Sequence, residues 1–211
     1  MLKQLSCLGA IAMLVACGGG QNETSEAERA RDGVDVSVEQ PASAAAWVVD
    51  REASSIGFLA TQNGNEFEGA FGRWDASIVL DLEDPASEGA FFARIDLASA
   101  DAGNTERNGS LPTKDWFHVA MFPVSEFSSS SIAATGQGTY EAQGTLSIKG
   151  ISKTVVMPFT VTVDETGRAS ADGSVMLDRS DFKVGEGQFA TGEWVGLAVE
   201  VLLHIEATPA G

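Results

Sequence analysis

The stretch GTYEAQGTLSIKGISKTVVMPFTVTVD, Gly138 to Asp164, decides the fold. In its first half Tyr140, Ala142, Gly144, Leu146 and Ile148 fall on one parity, and Glu141, Gln143, Thr145, Ser147 and Lys149 on the other. A strand sends successive side chains to opposite faces, so this is the pattern of a half-buried strand. After Gly150 the apolar parity resumes with Val155, Met157, Phe159, Val161 and Val163, and Val156 breaks the polar parity. Two such runs joined by Lys149-Gly150-Ile151-Ser152 predict a hairpin. Pro158 has no N–H to give to a ladder, which predicts an edge position or a bulge there.

The same period extends outward from this hairpin. Short strands are predicted at Trp47–Asp50 and Ser55–Thr61. A Gly-rich, bent strand follows, on which Phe67, Gly69, Phe71 and Arg73 share a parity. Ile78, Leu80 and Leu82 form another run, then the turn Asp84-Pro85, then Phe91, Ala93, Ile95 and Leu97. Pro123–Ile132 reads as a strand through Phe127, and Gly173–Arg179 as one through Val175 and Leu177. Phe182–Ala190 is a Gly-rich loop or an irregular strand. The last strand, Glu193–Thr208, has an unbroken apolar parity from Val195 to Ala207. Asn104–Phe117 lacks period two and reads as one or two helical turns, capped by Thr113 or Asp115. Consecutive strands with short connections are antiparallel. About eight of them close into a barrel, which removes exposed edges. The fold class is therefore all-β: an antiparallel lipocalin-like β-barrel of about eight strands with a short helical insert. A two-sheet sandwich is the alternative.

The N-terminus has a different character. Lys3 followed by the apolar run Leu5–Ala16 has the form of a signal peptide and is too short to span a bilayer. Leu14-Val15-Ala16-Cys17 resembles a bacterial lipobox, in which the cysteine is diacylated and becomes the mature N-terminus. Residues 1–16 are thus expected to be a lipoprotein signal peptide, 17–46 the lipidated N-terminus and a flexible linker, and 47–208 the barrel. The expected location is the cell envelope, facing the periplasm and anchored through Cys17, with Gly18 favouring the outer membrane. The sequence holds two cysteines, Cys7 and Cys17. Loss of the leader and acylation would leave the mature chain without a free thiol, so thiol catalysis and cysteine metal sites are not expected. The net charge of −17 argues against nucleic acid as a partner.

Ionisable residues make no catalytic pattern. His118 and His204 are the only histidines, and scattered carboxylates do not complete a zinc site with them. No nucleophile elbow or phosphate loop is present. Asp178-Arg179-Ser180-Asp181 is a dense polar cluster, either a turn held by a local ion pair or a contact to a ligand head group. The aromatics, from Phe58 to Trp194, either fill a solid barrel or line a greasy cavity. Periodicity does not separate these two cases, nor does it say which strand face lies inside.

Taken together, the motifs resemble the YceI-like family of periplasmic, lipocalin-like proteins over Trp47–Thr208. Trp47–Asp50, Ser54–Phe58 and Gly69–Phe71 are similar to its N-terminal Trp-x-x-Asp, Ser-x-Ile-x-Phe and Gly-x-Phe runs. Arg107–Leu111, Asp115–His118, Phe122-Pro123 and Phe127 follow the spacing of its helical insert. Gly144–Phe159 resembles its hairpin, and Leu177–Phe182 its late Asp-Arg-x-x-Phe segment. Asn108, Ser110, His118 and Lys183 stand where Asp, His, Asp and Gly are usual, which thins the charged patch near the helix. The resemblance implies a barrel that buries a polyisoprenoid, such as a polyprenyl phosphate or isoprenoid quinone, for storage or transport. It implies no catalysis, cofactor or metal. Monomer and homodimer both remain open. The expected apolar ligand contacts are Phe58, Phe71, Trp74, Phe117, Phe127, Leu146, Phe159 and Phe182. Arg107, Asp115, Asp178 and Arg179 are the expected polar groups at the mouth. A solid barrel serving envelope stress or protein interaction is the alternative, and an enzyme acting on a lipid head group stands behind both.

Overall fold

The computed structural model describes residues 33–43 and 45–211. The expected signal segment and Cys17 lie outside them. Eleven strands form one antiparallel sheet: β1 Ala46–Val49, β2 Ser55–Gln62, β3 Asn65–Phe71, β4 Trp74–Val79, β5 Ala90–Asp96, β6 Ala100–Asp101, β7 Val124–Gly136, β8 Thr139–Ile148, β9 Ile151–Val163, β10 Ala169–Asp178 and β11 Ala198–Pro209. They amount to eight staves, because three staves are each broken once. β1 and β2 both pair with β11, at its lower end (Val49 with Ala207) and its upper end (Ile56 with Leu203). β3 pairs with β2 and β4 with β1. β5 and β6 are separated by the 3-10 turn Leu97–Ser99 and pair with β4 and β3. The order then runs β7, β8, β9, β10, β11 and back to β1, which closes an up-and-down barrel.

The central hairpin forms as its pattern requires. Lys149 and Gly150 both take positive φ, 51° and 73°, the conformation of a two-residue hairpin turn whose twist matches the strands. Pro158 pairs opposite Glu141 of β8 and sits just beyond the end of the β9–β10 ladder, which stops at Phe159–Gly173. Its missing donor therefore costs no ladder bond. Above this point β9 and β10 share no backbone pairs, and the ion pair between Lys153 and Asp181 crosses the seam at 3.2 Å.

The apolar parity of every stave faces inward. Two inward glycines sit directly opposite phenylalanines: Gly69 faces Phe58, and Gly173 faces Phe159. A Cβ on Gly69 would come within 2.2 Å of the Phe58 ring, so the glycine makes the room the ring occupies. The lower core is built by Ile56, Trp74, Ala76, Ile205, Ile132 and Tyr140, and the upper core by Phe58, Leu97, Leu111, Phe117 and Phe182.

Several local readings change. The strand of Phe67 and Phe71 ends at Phe71. Arg73 leaves its parity to bind the fully buried Asp96, at 2.8 Å through Nε and 2.6 Å through Nη2. The Asp84-Pro85 turn opens a short helix, α1 Pro85–Glu88. The insert helix, α2 Thr105–Ser110, is capped by Asn104, whose side chain accepts from the N–H groups of Glu106 and Arg107; Thr113 and Asp115 do not cap it. Residues 33–43, read as part of a flexible linker, run extended along the outer wall. There Val34 N–H and Val38 N–H donate to Asp96 and Asp75, and Gln40 donates to the Ala76 carbonyl.

The candidate ligand cavity

The top of the barrel carries the β2–β3 and β8–β9 turns, the insert 102–123 and the long loop 179–197. Beneath them lies a cavity of about 220 Å³. Its walls are the inward rows of the staves: Ile56, Phe58 and Ala60 of β2, Phe67 and Phe71 of β3, Phe91, Ala93 and Ile95 of β5, Phe127 of β7, Leu146 and Ile148 of β8, Val155 and Met157 of β9, Val175 and Leu177 of β10, and Val199, Val201 and Leu203 of β11. Leu111, Trp116, Phe117, Phe182, Val184 and Phe189 roof it. A second, smaller cavity of about 60 Å³ lies lower in the barrel, lined by Trp47, Ile132, Phe159 and Val161 among others. Phe91, Met157 and Leu203 belong to both linings and form the partition between them.

Polar groups are few and gather under α2: Gln62, Glu106, Arg107 and Ser110, with Ser125 on β7 and Arg179 in the roof. Arg107 donates through Nε to the Ala102 carbonyl and through Nη1 to Gln62, both at 3.0 Å, and its guanidinium lies 4.1 Å from the Phe67 ring centre. Asn108 accepts from Ala102 N–H and donates to Asp101, both at 2.7 Å, which ties α2 to β6. An aspartate there could not donate to a second carboxylate.

Arg179 is 5% exposed and forms no ion pair with a carboxylate among the described residues. Its five N–H groups all go to backbone carbonyls: Nε to Gly196, Nη1 to Val184 and Gly185, and Nη2 to Phe189 and Val195, at 2.5–2.9 Å. Burial pushes the guanidinium below its usual value, and Asp178 opposes that shift. The side chain therefore pins loop 184–196 over the barrel. Lys149 fastens the same roof from the β8–β9 turn, donating to the Lys183 carbonyl at 2.6 Å and to Glu186 at 2.9 Å. That bond holds the Glu186 carboxyl below its usual range.

Of the residues proposed from sequence, Phe58, Phe71, Arg107, Phe117, Phe127, Leu146, Arg179 and Phe182 lie together in the main cavity lining. Phe159 lines the lower cavity. Trp74 is buried in the lower core outside either lining. Asp115 and Asp178 are exposed and outside both linings. Asp178 caps the 3-10 turn Arg179–Phe182 by accepting from Ser180, whose hydroxyl and N–H lower its pKa. The backbone carbonyl of Asp115, not its side chain, receives Gly185 N–H and Glu186 N–H. His204 pairs with Asp172 on the outer face at 2.8 Å. No group of three metal-ligating side chains is found among the described residues.

Sequence reasoning passed over Gln62, Glu106, Ser110 and Trp116 as site residues. Gln62 continues the parity of Ile56, Phe58 and Ala60, so period two alone would have found it. The others lie on the aperiodic insert, where no such signal exists. Trp116 stands apart chemically. Its Nε1 is the one buried side-chain polar atom without a hydrogen-bond partner among the described residues. Leaving a buried N–H unpaired costs roughly 1–3 kcal/mol. The indole packs on Phe189, 5.2 Å between ring centres, and under the Arg179 guanidinium at 5.5 Å.

Comparison with known proteins agrees with this architecture. A UPF0312 protein of Azotobacter vinelandii is 28% identical over 168 residues, covering 76% of this chain and 87% of that protein. The crystal structure of Burkholderia cenocepacia BcnA is 34% identical and superposes with a TM-score of 0.73 over 76% of this chain and all of BcnA. A polyisoprenoid binding domain from Saccharophagus degradans shares the fold at 15% identity, with a TM-score of 0.62 over 80% of this chain and all of that one. The model of the YceI-like domain matches residues 47–207. That span is the closed barrel with its roof, and the chain belongs to the YceI-like domain family.

Proposed function

We propose that this chain is an envelope lipoprotein, anchored in the membrane through acylated Cys17, whose barrel binds a long apolar isoprenoid lipid for storage or transport. The observation that carries this reading is the cavity: a closed barrel whose interior rows leave about 220 Å³ beneath a pinned roof, lined almost wholly by apolar side chains. An apolar cavity of ~150 Å³ already takes a benzene ring. Each methylene moved out of water contributes about 0.8 kcal/mol, so a prenyl chain gains affinity without a charged contact. The lower cavity lies in line behind Phe91, Met157 and Leu203. Met157 is flexible and polarizable, and its movement would join the two spaces for a longer chain. The Saccharophagus domain, a polyisoprenoid binding domain on the same fold, supports the same ligand class. The open space in the upper barrel disfavours the solid-barrel alternative. Of the ionisable residues in the lining, Glu106, Arg107 and Arg179, Arg179 is spent on backbone carbonyls and Arg107 is bonded to Ala102 and Gln62, which fits a site that binds through apolar contact. Acylation at Cys17, an outer-membrane location and a periplasmic setting belong to this proposal through the leader sequence alone.

The test is uptake of a polyprenol by the chain from residue 17 onward, read by native mass spectrometry. One-to-one uptake is expected, and a folded Phe71→Glu variant should lose it. Uptake retained by that variant would count against an interior site.

A further inference from the structure

We propose that the indole Nε1–H of Trp116 is the head-group contact of this cavity, and that it takes an uncharged oxygen acceptor (a carbonyl, ether or hydroxyl) at the end of the apolar chain. This rests on the reading of the cavity as a lipid site. Buried donors in native proteins are almost always paired, and an exception calls for a reason. Two other aromatic donors follow the rule: Trp47 Nε1 donates to the Leu80 carbonyl at 2.9 Å, and the Tyr140 hydroxyl to the Leu82 carbonyl at 3.3 Å. Among the described residues the Trp116 Nε1 is the one fully buried side-chain polar atom without a partner, and the Trp116 side chain lines the main cavity.

The surrounding charges decide the kind of acceptor. An anionic head group needs free donors and a net positive setting. Arg179 has given all five N–H groups to carbonyls. Lys149 is engaged by Glu186 and the Lys183 carbonyl. Arg107 is the remaining cation in the lining, already bonded to Ala102 and Gln62, and Glu106 lies beside it in the same wall. A phosphate would meet one partly used cation and one carboxylate. A neutral oxygen needs one donor, and Trp116 supplies it.

The experiment compares three C15 ligands of one chain length on the chain from residue 17 onward: farnesene, farnesyl methyl ether and farnesyl phosphate. Titration calorimetry reads affinity, and proton–nitrogen NMR reads the indole N–H signals, with that of Trp116 assigned by its loss in Trp116→Phe. The ether should bind about threefold to tenfold more tightly than farnesene, the worth of about one neutral hydrogen bond. Trp116→Phe should erase that difference, whatever the change in overall affinity for farnesene. The Trp116 indole proton should move downfield with the ether and not with farnesene. Farnesyl phosphate should bind no more tightly than the ether. An ether preference that survives Trp116→Phe, or a phosphate that binds more than tenfold tighter, would overturn the assignment while leaving the lipid site standing. Failure of farnesene itself to bind would remove the lipid site, and this inference with it.

Discussion

The two halves of this barrel use one alternating pattern and reach opposite results. In the lower half β1 bridges β11 and β4, and β9, β10 and β11 pair continuously. Large side chains such as Trp47, Trp74 and Tyr140 fill the interior, and little more than 60 Å³ remains open. In the upper half the β9–β10 ladder has ended, and the lid is made of irregular segments held by side-chain bonds to backbone. There about 220 Å³ stays open. Side chains close the bottom, whereas loops roof the top, and a roof leaves space that a packed layer would not. Trp47 and Tyr140 donate to backbone carbonyls below, whereas the buried Nε1 of Trp116 has no partner above.

The largest expected effect is at the roof. Arg179→Met leaves five carbonyls without their donor, and should cost at least ~3 kcal/mol and abolish ligand uptake. Urea unfolding and native mass spectrometry read the two effects. A variant that stays stable would show that loop 184–196 holds without its pin. Next, Gly69→Ala drives a methyl into the Phe58 ring and should cost about 1–3 kcal/mol, with the displaced ring reducing cavity volume and lipid uptake. Denaturation and uptake measurements on the same sample check both. Smaller still, Tyr140→Phe should cost about 1 kcal/mol by stranding the Leu82 carbonyl. Urea unfolding reads that cost, and an unchanged midpoint would show that the bond carries no stability in the lower half.

The smallest effect lies at the bottom rim. Arg168 holds Asp50 at 2.9 Å and Glu206 at 2.6 Å, and those bonds lower both carboxyl pKa values. A depressed carboxyl stabilises the fold above its unfolded pKa, and that contribution disappears as pH falls through the folded value. Arg168→Met should therefore lower the thermal midpoint slightly at about pH 7 and not at about pH 2–3. A deficit that persists in acid would point to packing rather than charge.

The fold was legible because a barrel of antiparallel staves repeats one period-two signal, and the hairpin 138–164 states it with Val156 as an exception on its polar face. Its inward face is the apolar one on every stave, a point that periodicity alone left undecided. Three features were hidden for physical reasons. Broken staves look like separate short strands, since the break at Gly72-Arg73 is set by the distant Asp96. The path of residues 33–43 is held by bonds from Val34 and Val38 N–H to Asp96 and Asp75, partners too distant in sequence to be read from the segment itself. Polar roles in the roof were misplaced because backbone, not side-chain, partners decide them. Arg179 is a structural pin that also touches the lining, while Asp115 and Asp178 are exposed to solvent. Trp116 gave no sequence signal, for an unpaired donor is a property of its surroundings.

The central claim is that the upper barrel holds an apolar isoprenoid chain. Its most direct test is organic extraction of the protein purified gently from its native cells, with mass spectrometry of the extract and of the intact complex. The account predicts one isoprenoid lipid per barrel, lost in Phe71→Glu. A folded protein that comes out empty, and remains empty when offered polyprenols and isoprenoid quinones, would contradict it.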